Sequence, residues 1–292
     1  MTICALSSAP GSSGVAVIRI SGPETKNLIK KLIKKELPRP RMATLLKLYN
    51  INTSSLIDEA VVLWFPGPNS YTGEDMAELH VHGSRAIITC LQNTILDTQK
   101  CRLAEPGEFT KLAFINGKIN LLKAEAIGDL IAAETQIQID QAQSIIKGKS
   151  FLKFEKIREK LIKILATLEA KIDFPEEDIP ENVTKNIKKD LEKIEEDIKK
   201  ILDDNKVGEK IRTGFKVAIV GPPNSGKSSL MNYFSKREVS IVSEIAGTTR
   251  DVLETHLNFD GYPVIISDTA GIRESKDIIE KEGIKLAFKK AE

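Results

Sequence analysis

The sequence predicts a multidomain protein that combines an α+β domain, a helical bundle and part of an α/β domain. Length and two changes of pattern predict this class. A chain of 292 residues is long for one hydrophobic core. Mixed strands and helices give way to helices alone, and these give way to a strand with a glycine-rich loop. We therefore place the domains at 1–117, 118–212 and 213–292.

The first domain contains short β-type runs, such as VAVIRI (15–20) and AVVLWF (60–65), bounded by Gly, Pro, Ser and Asn. The stretch KNLIKKLIKKEL (26–37) predicts an amphipathic helix, because its apolar residues form one stripe and its lysines occupy the remaining face. The lysines also suggest a nucleic-acid patch, but the pattern alone favours a solvated helix face.

Apolar residues recur every three or four positions in the second domain, which predicts two long helices. The prolines of FPEEDIPE (174–181) end the first of them. We expect the two apolar stripes to form the core of a bundle. The stripes consist of Phe154, Ile157, Leu161, Ile164, Leu168 and Ile172, and of Ile187, Leu191, Ile194, Ile198 and Ile201.

The third domain begins with the apolar run KVAIV (216–220), which suits a buried parallel strand. A glycine-rich loop follows, and SSLMNYFS continues as a helix. Asp260 and Gly261 tolerate positive φ and stand between two β-type runs, which predicts a hairpin. Because we expect this domain to be incomplete, we also expect KVAIV to lack sheet partners.

Composition argues against several classes of protein. The net charge of +2 gives no argument by itself for nucleic acid or an anionic membrane. The three cysteines match neither a disulfide framework nor a zinc site, which predicts reduced thiols. The N-terminus lacks signal-peptide features, and no apolar run approaches the roughly 20 residues of a membrane span. We therefore expect a cytoplasmic protein without a membrane partner.

The stretch GPPNSGKSS (221–229) has the form of a phosphate-binding P-loop, G-x-x-x-x-G-K-S. Gly221 and Gly226 allow the backbone to turn N–H groups towards phosphate oxygens. Lys227 can contact the β- and γ-phosphates, and the Ser228 hydroxyl can bind Mg²⁺. A glycine-rich turn without a ligand is the alternative, and the predicted strand and helix on either side argue against it.

Two further motifs follow in the order typical of a GTPase rather than an ATPase. SEIAGTTRD (243–251) offers threonine hydroxyls for a switch segment, and SDTAG (267–271) offers Asp268 to Mg²⁺. Ile272 stands where Ras-like GTPases have a glutamine that orients water, so another residue must act. Nearby charged residues are candidates, although a solvated helix start explains them equally well. The candidates for orienting the water are Glu274, Asp277, Glu280 and Glu282, and Arg273 could stabilise charge.

Together these motifs resemble the MnmE (TrmE) family of tRNA-modification GTPases over essentially the whole chain. The matching stretches are GVAVIRISGP, WFPGPNSYTGEDMAELHVHG, AEPGEFTKLAFINGKINLLKAEAIGDLI, IDFPEEDI, GPPNSGKSSLMN, EIAGTTRD and DTAGIRE. The resemblance implies an N-terminal folate-binding and dimerisation domain, the first part of a helical domain, and the N-terminal part of a P-loop GTPase domain.

The resemblance also implies roles for individual residues. Arg19, Glu78 and Lys118 are the implied ligands of 5-formyl- or methylene-tetrahydrofolate, and a surface salt bridge is the alternative for each. Glu280 is the implied catalytic glutamate. The implied residues for GTP or GDP are Asn224, Ser225, Gly226, Lys227, Ser228, Ser229, Ser243, Glu244, Ile245, Ala246, Gly247, Thr248, Thr249, Asp268, Thr269, Ala270 and Gly271. The implied metal ligands are Ser228 and Thr249 for Mg²⁺, and Asn224, Ser243, Ile245 and Thr248 for K⁺.

The resemblance implies a K⁺-dependent GTPase that forms a homodimer through its N-terminal domain. With the flavoprotein MnmG (GidA), such a protein installs a carboxymethylaminomethyl or aminomethyl group at C5 of the tRNA wobble uridine, using a folate one-carbon unit. The sequence lacks the family's N-K-x-D and C-x-G-K motifs, and we therefore expect a chain truncated within the GTPase domain, either as a fragment or through an interrupted gene. The alternative function is that of an inactive folate-binding, dimerising module, and a generic P-loop ATPase is less favoured.

Overall fold

The computed structural model describes residues 1–173, 181–203, 207–219, 225–226, 229–230, 233–234, 240–241 and 254–268. The chain divides into two compact units, Met1–Glu125 and Ala126–Glu292. The first unit is a mixed α/β domain and the second contains the long helices, as the sequence predicts. The bounds of the three domains and the P-loop domain itself remain predictions.

The first unit is built on a six-stranded sheet in the order β3-β4-β5-β2-β1-β6. Its strands are β1 (Thr2–Leu6), β2 (Ser13–Ser21), β3 (Thr44–Tyr49), β4 (Leu56–Phe65), β5 (Met76–Gly83) and β6 (Cys101–Leu103). Neighbouring strands are antiparallel except β1 and β6, which are parallel. The runs at 15–20 and 60–65 lie inside β2 and β4, which confirms them as strands.

Two helices cover one face of this sheet and form the core with it. The helices of the first unit are α1 (Thr25–Ile33), α2 (Arg85–Leu96) and α3 (Glu108–Ile115). The next helix, α4 (Leu121–Ala132), begins in the first unit and ends in the second. Residues of α1 and α2 pack with alternate residues of the strands, such as Ile18 and Ile20. Because side chains alternate across a strand, Arg19 lies on the opposite face of the sheet.

The predicted helix at 26–37 exists, but its predicted end is wrong. It ends at Ile33, because Lys34 adopts a left-handed backbone conformation with φ of 52°. The Lys34 N–H still donates to the Lys30 carbonyl at 2.9 Å, which closes the last turn. The lysines beyond Ile33 therefore lie on a turn rather than on the helix.

The second unit contains α5 (Gln136–Ile146), α6 (Lys149–Asp173), α7 (Glu181–Leu202) and α8 (Val207–Thr213). The two long helices confirm the periodicity, but the prediction that both stripes are core is wrong for most positions. Ile164 and Ile194 are buried, whereas Phe154 is 50% exposed and Ile172 is 75% exposed. A helix buries only the residues at its contacts with neighbouring helices, and each stripe is wider than those contacts.

A four-stranded sheet in the second unit has the order β7-β10-β9-β8. Its strands are β7 (Phe215–Ile219), β8 (Ser240–Ile241), β9 (Glu254–Phe259) and β10 (Tyr262–Asp268). The hairpin prediction is confirmed, since Asp260 and Gly261 join β9 to β10 with φ of 49° and 89°. The prediction that KVAIV lacks sheet partners is wrong, because β7 pairs in parallel with β10.

Among the described residues, no helix is both long and apolar enough to cross a lipid bilayer. The three cysteines are free thiols, and two of them, Cys4 and Cys101, are buried. The same part of the chain contains no group of three His, Cys, Asp or Glu side chains that could hold a metal ion.

Candidate functional site

Arg19 and Glu78 form an ion pair on the sheet face that α1 and α2 leave uncovered. The two residues lie directly opposite each other on β2 and β5. Arg19 donates from Nη2 and Nε to Oε1 of Glu78, at 2.7 and 3.0 Å. The side chains are 28% and 17% exposed, so the pair is half-buried rather than a freely solvated surface bridge. Nη1 of Arg19 has no hydrogen-bond partner among the described residues and can donate to a ligand.

Aromatic and imidazole groups surround this ion pair. The guanidinium carbon of Arg19 lies 5.8 Å from the ring centre of Tyr71 and 5.5 Å from that of Phe109. Both distances are within the range of cation–π attraction. Nε2 of His80 lies 3.4 Å from Oε2 of Glu78, the carboxylate oxygen that Arg19 does not use. The result is a charged pair bordered by flat apolar surfaces.

The connection between β4 and β5, residues 66–75, is held in place by several hydrogen bonds. Tyr71 shares a hydroxyl hydrogen bond of 2.9 Å with Thr110 of α3. Thr72 shares one of 2.7 Å with Ser21 of β2, and its carbonyl accepts from the Asn116 amide at 2.7 Å. These contacts fix the position of the Tyr71 ring beside Arg19.

Lys118 contacts the same connection. Its Nζ donates to the Pro68 carbonyl at 2.8 Å. A Cβ placed at Gly73, whose φ is 83°, would lie 3.2 Å from Cβ of Asn116 and 3.4 Å from the Lys118 stem. The three residues predicted to bind folate therefore belong to one region: Arg19 and Glu78 touch directly, and Lys118 is linked to them through residues 66–75.

A second ion pair anchors the helix that carries Phe109. Glu108, the first residue of α3, accepts hydrogen bonds from both terminal nitrogens of Arg102, one of them at 2.8 Å, and from the Glu105 N–H at 2.8 Å. The hydrogen bonds from Arg102 are the main reason that the pKa of Glu108 falls to about 2 from its usual 4.5. The charged carboxylate thus stabilises the start of α3 and the position of the Phe109 ring.

Two strands of the small sheet adjoin the predicted nucleotide motifs in sequence. β7 and β10 are parallel neighbours, and Asp268 at the end of β10 lies opposite Ile219 at the end of β7. The chain that follows β7 includes Gly226, whose φ is 86°, a conformation that favours glycine. The Leu230 N–H donates to the Gly226 carbonyl at 2.9 Å. The P-loop itself stays a prediction, because most of its residues lie outside the described part of the chain.

Most of the predicted nucleotide residues lie outside the described part of the chain. Ser225, Gly226, Ser229 and Asp268 lie within the described residues. The other predicted positions lie outside them. They are Asn224, Lys227, Ser228, the loop 243–249, Thr269, Ala270, Gly271 and the predicted catalytic Glu280.

Sequence reasoning missed Tyr71, Phe109 and His80 as neighbours of the ion pair. Tyr71 and Phe109 stand in the quoted stretches WFPGPNSYTGEDMAELHVHG and AEPGEFTKLAFINGKINLLKAEAIGDLI, but no residue pattern shows that their rings approach Arg19. His80 had a signal, because residues two apart on a strand share a face. Glu78 and His80 on β5 meet that condition.

Comparison with known proteins matches both parts of the chain. A family model described as the N-terminus of the GTP-binding protein TrmE matches residues 2–118. A second model, described as the MnmE helical domain, matches residues 121–291. Consecutive matches of this extent define a TrmE-type N-terminal domain followed by an MnmE-type helical region. The chain belongs to the MnmE (TrmE) family.

Several curated relatives carry the name tRNA modification GTPase MnmE. The protein of Pelagibacter ubique is 65% identical over 292 residues, which cover 100% of this chain and 66% of that relative. The protein of Rickettsia akari is 49% identical over 291 residues, 99% of this chain and 65% of the relative. The protein of Neorickettsia sennetsu is 50% identical over 291 residues, which cover 99% of this chain and 52% of that relative. The chain thus spans less than two thirds of the length of these relatives.

Proposed function

We propose that this protein hydrolyses GTP and acts in the modification of tRNA. The observation that carries the proposal is the family membership of residues 2–118 and 121–291, together with the names of the relatives. The arrangement of β7 and β10 agrees with it, because a phosphate loop and a carboxylate at adjacent strand ends form a usual site for a nucleotide and Mg²⁺.

The finer parts of the proposal come from the family resemblance. The reaction is K⁺-dependent GTP hydrolysis, with Glu280 as the catalytic residue, Ser228 and Thr249 as Mg²⁺ ligands, and Asn224 at the K⁺ site. Acting with the flavoprotein MnmG, a homodimer modifies C5 of the wobble uridine. Such a role predicts a cytoplasmic location.

We propose that the region around Arg19 binds a tetrahydrofolate. Its donor set fits that ligand, since Glu78 can accept N–H groups of a pterin and the Tyr71 and Phe109 rings offer stacking surfaces. Nη1 of Arg19, beside Glu78, can donate to an acceptor at the same end of the ligand, and Lys118 can donate to a carboxylate of the glutamate tail. When bound, the folate supplies a one-carbon unit. The residues of this chain hold and orient it.

The test of GTP hydrolysis compares K⁺ with Na⁺ on the intact chain and on Glu280→Ala. We expect faster hydrolysis in K⁺, and loss of hydrolysis with retained GDP binding in Glu280→Ala. Equal rates in both salts would remove the K⁺ proposal. Displacement of a fluorescent GDP analogue by ATP as readily as by GTP would contradict guanine specificity.

A second candidate function is a folate-binding, dimerising module without GTP hydrolysis. The Arg19–Glu78 pair favours it, because this site lies wholly within the first unit. We expect Arg19→Gln to weaken 5-formyltetrahydrofolate binding by at least about tenfold, since a charge-assisted hydrogen bond contributes about 1.5–3 kcal/mol. Arg85→Gln, at an exposed arginine, is the control. Folate binding without GTP hydrolysis would select this candidate over the first.

A further inference from the structure

The solvent-facing side of α1 and the turn after it carry a dense set of positive charges. Between Lys26 and Arg41 the chain has seven basic residues and one acidic residue. The net charge of the whole chain is only +2, so the rest of the chain is net negative. We call six of these side chains the basic face: Lys26, Lys30, Lys31, Lys34, Lys35 and Arg39.

The helix geometry gathers these charges on one side. The buried residues of α1 are Thr25, Leu28, Ile29, Leu32 and Ile33. At 100° per residue they occupy one arc, and the lysines of the helix occupy the arc that faces solvent. Lys26 and Lys31 are five residues apart, so the lysine row on the helix is about 7.5 Å long, and Lys34 and Lys35 follow on the turn. No acidic side chain of α1 interrupts it.

Most of the basic face makes no ion pair. Lys30 pairs with Glu36 at 2.6 Å. Nζ of Lys34 lies 4.8 Å from the ring centre of Tyr49. Within the described part of the chain, the other four side chains have neither a hydrogen-bond partner nor an ion-pair partner. They are Lys26, Lys31, Lys35 and Arg39.

This arrangement opposes helix stability. Lys26 and Lys30 are four residues apart on the helix, a spacing at which like charges repel. The helix dipole favours cations only in the last turn, which holds Lys30 and Lys31. A bound polyanion would remove the repulsion, and this offers a physical reason for an arrangement that the fold alone does not need.

From these observations we propose that the basic face binds the phosphate backbone of tRNA. The proposal rests on the proposed role in tRNA modification. An amphipathic helix inserted in a membrane fits less well, because such a helix must expose its apolar face to lipid. Leu28, Ile29, Leu32 and Ile33 are at most 2% exposed and pack in the core of the first unit. The sequence pattern alone favours a solvated helix face. The four basic side chains without a described ion partner favour a bound polyanion instead.

The test uses a triple variant that changes charge without breaking a contact. Lys26→Gln, Lys31→Gln and Lys35→Gln leave the Lys30–Glu36 pair and the Lys34–Tyr49 contact intact. The matched control changes three exposed lysines of α6 that form no described side-chain contact, and it alters the net charge equally. The control substitutions are Lys153→Gln, Lys156→Gln and Lys163→Gln.

Binding of a fluorescently labelled, unmodified tRNA transcript to the intact chain is measured by anisotropy across a range of KCl concentrations. We expect the basic-face variant to bind at least about tenfold more weakly near 0.15 M salt. Its log–log salt slope should be shallower by about two to three, because each lost phosphate contact removes roughly 0.7–0.9. The control variant should change affinity less than about twofold.

Three outcomes overturn the proposal. Equal weakening by both triple variants would show an effect of total charge, and unchanged affinity of the basic-face variant would place the RNA elsewhere. Failure of the unaltered chain to bind tRNA would also overturn it. GTP hydrolysis is measured on the same preparation, so failure of the RNA proposal is distinguished from failure of the proposed GTPase. Fluorescence of Trp64 confirms that the first unit of the basic-face variant is folded, and far-UV circular dichroism confirms that the helices of the control variant are folded.

Discussion

The ion pair that anchors α3 gives a prediction about stability and pH. Glu108→Gln keeps the size of the side chain and removes its charge. The native carboxylate accepts two hydrogen bonds from Arg102 and one from the Glu105 N–H. Its side chain is only 11% exposed, whereas that of Arg102 is 40% exposed. The substitution therefore weakens an ion pair in which the Glu108 carboxylate is mostly buried and the Arg102 guanidinium is exposed to water.

The magnitude follows from the pKa of Glu108, which is about 2 instead of 4.5. One pKa unit corresponds to about 1.4 kcal/mol, so the full shift would give about 3.4 kcal/mol. Because water screens the exposed side of the pair, we expect about 1–2 kcal/mol. A carboxyl whose folded pKa is depressed stabilises the fold above its unfolded pKa. This contribution decreases as the pH falls from about 4.5 towards 2.

The assay is urea unfolding followed by the fluorescence of Trp64. Trp64 is the single tryptophan, and it is 6% exposed in the core of the first unit, so it reports unfolding of that unit. The free energy of unfolding of Glu108→Gln should be about 1–2 kcal/mol lower than that of the native chain at pH 7, and the gap should narrow below pH 4.5. Glu36→Gln is the control, because Glu36 is 87% exposed in its pair with Lys30. A gap that stayed constant with pH would refute the electrostatic reasoning.

Two further predictions concern packing. Ile164→Ala should lower the free energy of unfolding of the long helices by about 2–4 kcal/mol, because Ile164 is buried, and Leu165→Ala at a 54% exposed position should change it little. Urea titration by far-UV circular dichroism checks this, and equal effects would contradict it. Gly22→Ala should destabilise the first unit by more than about 2 kcal/mol in Trp64 fluorescence, since its φ is 132° and its Cβ would lie 2.6 Å from Cα of Thr2. Gly14→Ala, whose Cβ meets open space, should behave like the native chain.

Local patterns predicted the elements well where local physics decides them. The Asp260–Gly261 hairpin is predictable because both residues accept the positive φ that such a turn requires. The end of α1 was not predictable, because KKEL continues the helical pattern while Lys34 leaves it. The burial of the long helices was overestimated for a related reason, since periodicity shows which side is apolar and does not show how much of it a neighbour covers.

Some residues of the candidate site were predictable from the sequence, and others were not. Arg19, Glu78 and Lys118 came from the family resemblance, and the structure brings Arg19 and Glu78 into direct contact. Arg19 and Glu78 are 59 residues apart in the sequence, so their contact depends on the register between β2 and β5. The positions of Tyr71 and Phe109 depend on a long connection and on α3. No local pattern encodes such distances, so the aromatic border of the site required the structure.

The contact between Arg19 and Glu78 also narrows the chemistry of the site. Considered singly, Arg19 and Lys118 describe a site for anions. Because Glu78 neutralises Arg19, the three side chains together carry one positive charge. A small inorganic anion would meet the Glu78 carboxylate as well as the two cations, and like charges held close together repel. A ligand fits better if it has N–H donors and flat rings at one end and carboxylates at the other. A tetrahydrofolate has this composition, whereas phosphate does not, and this asymmetry favours the proposed ligand more strongly than either cation alone.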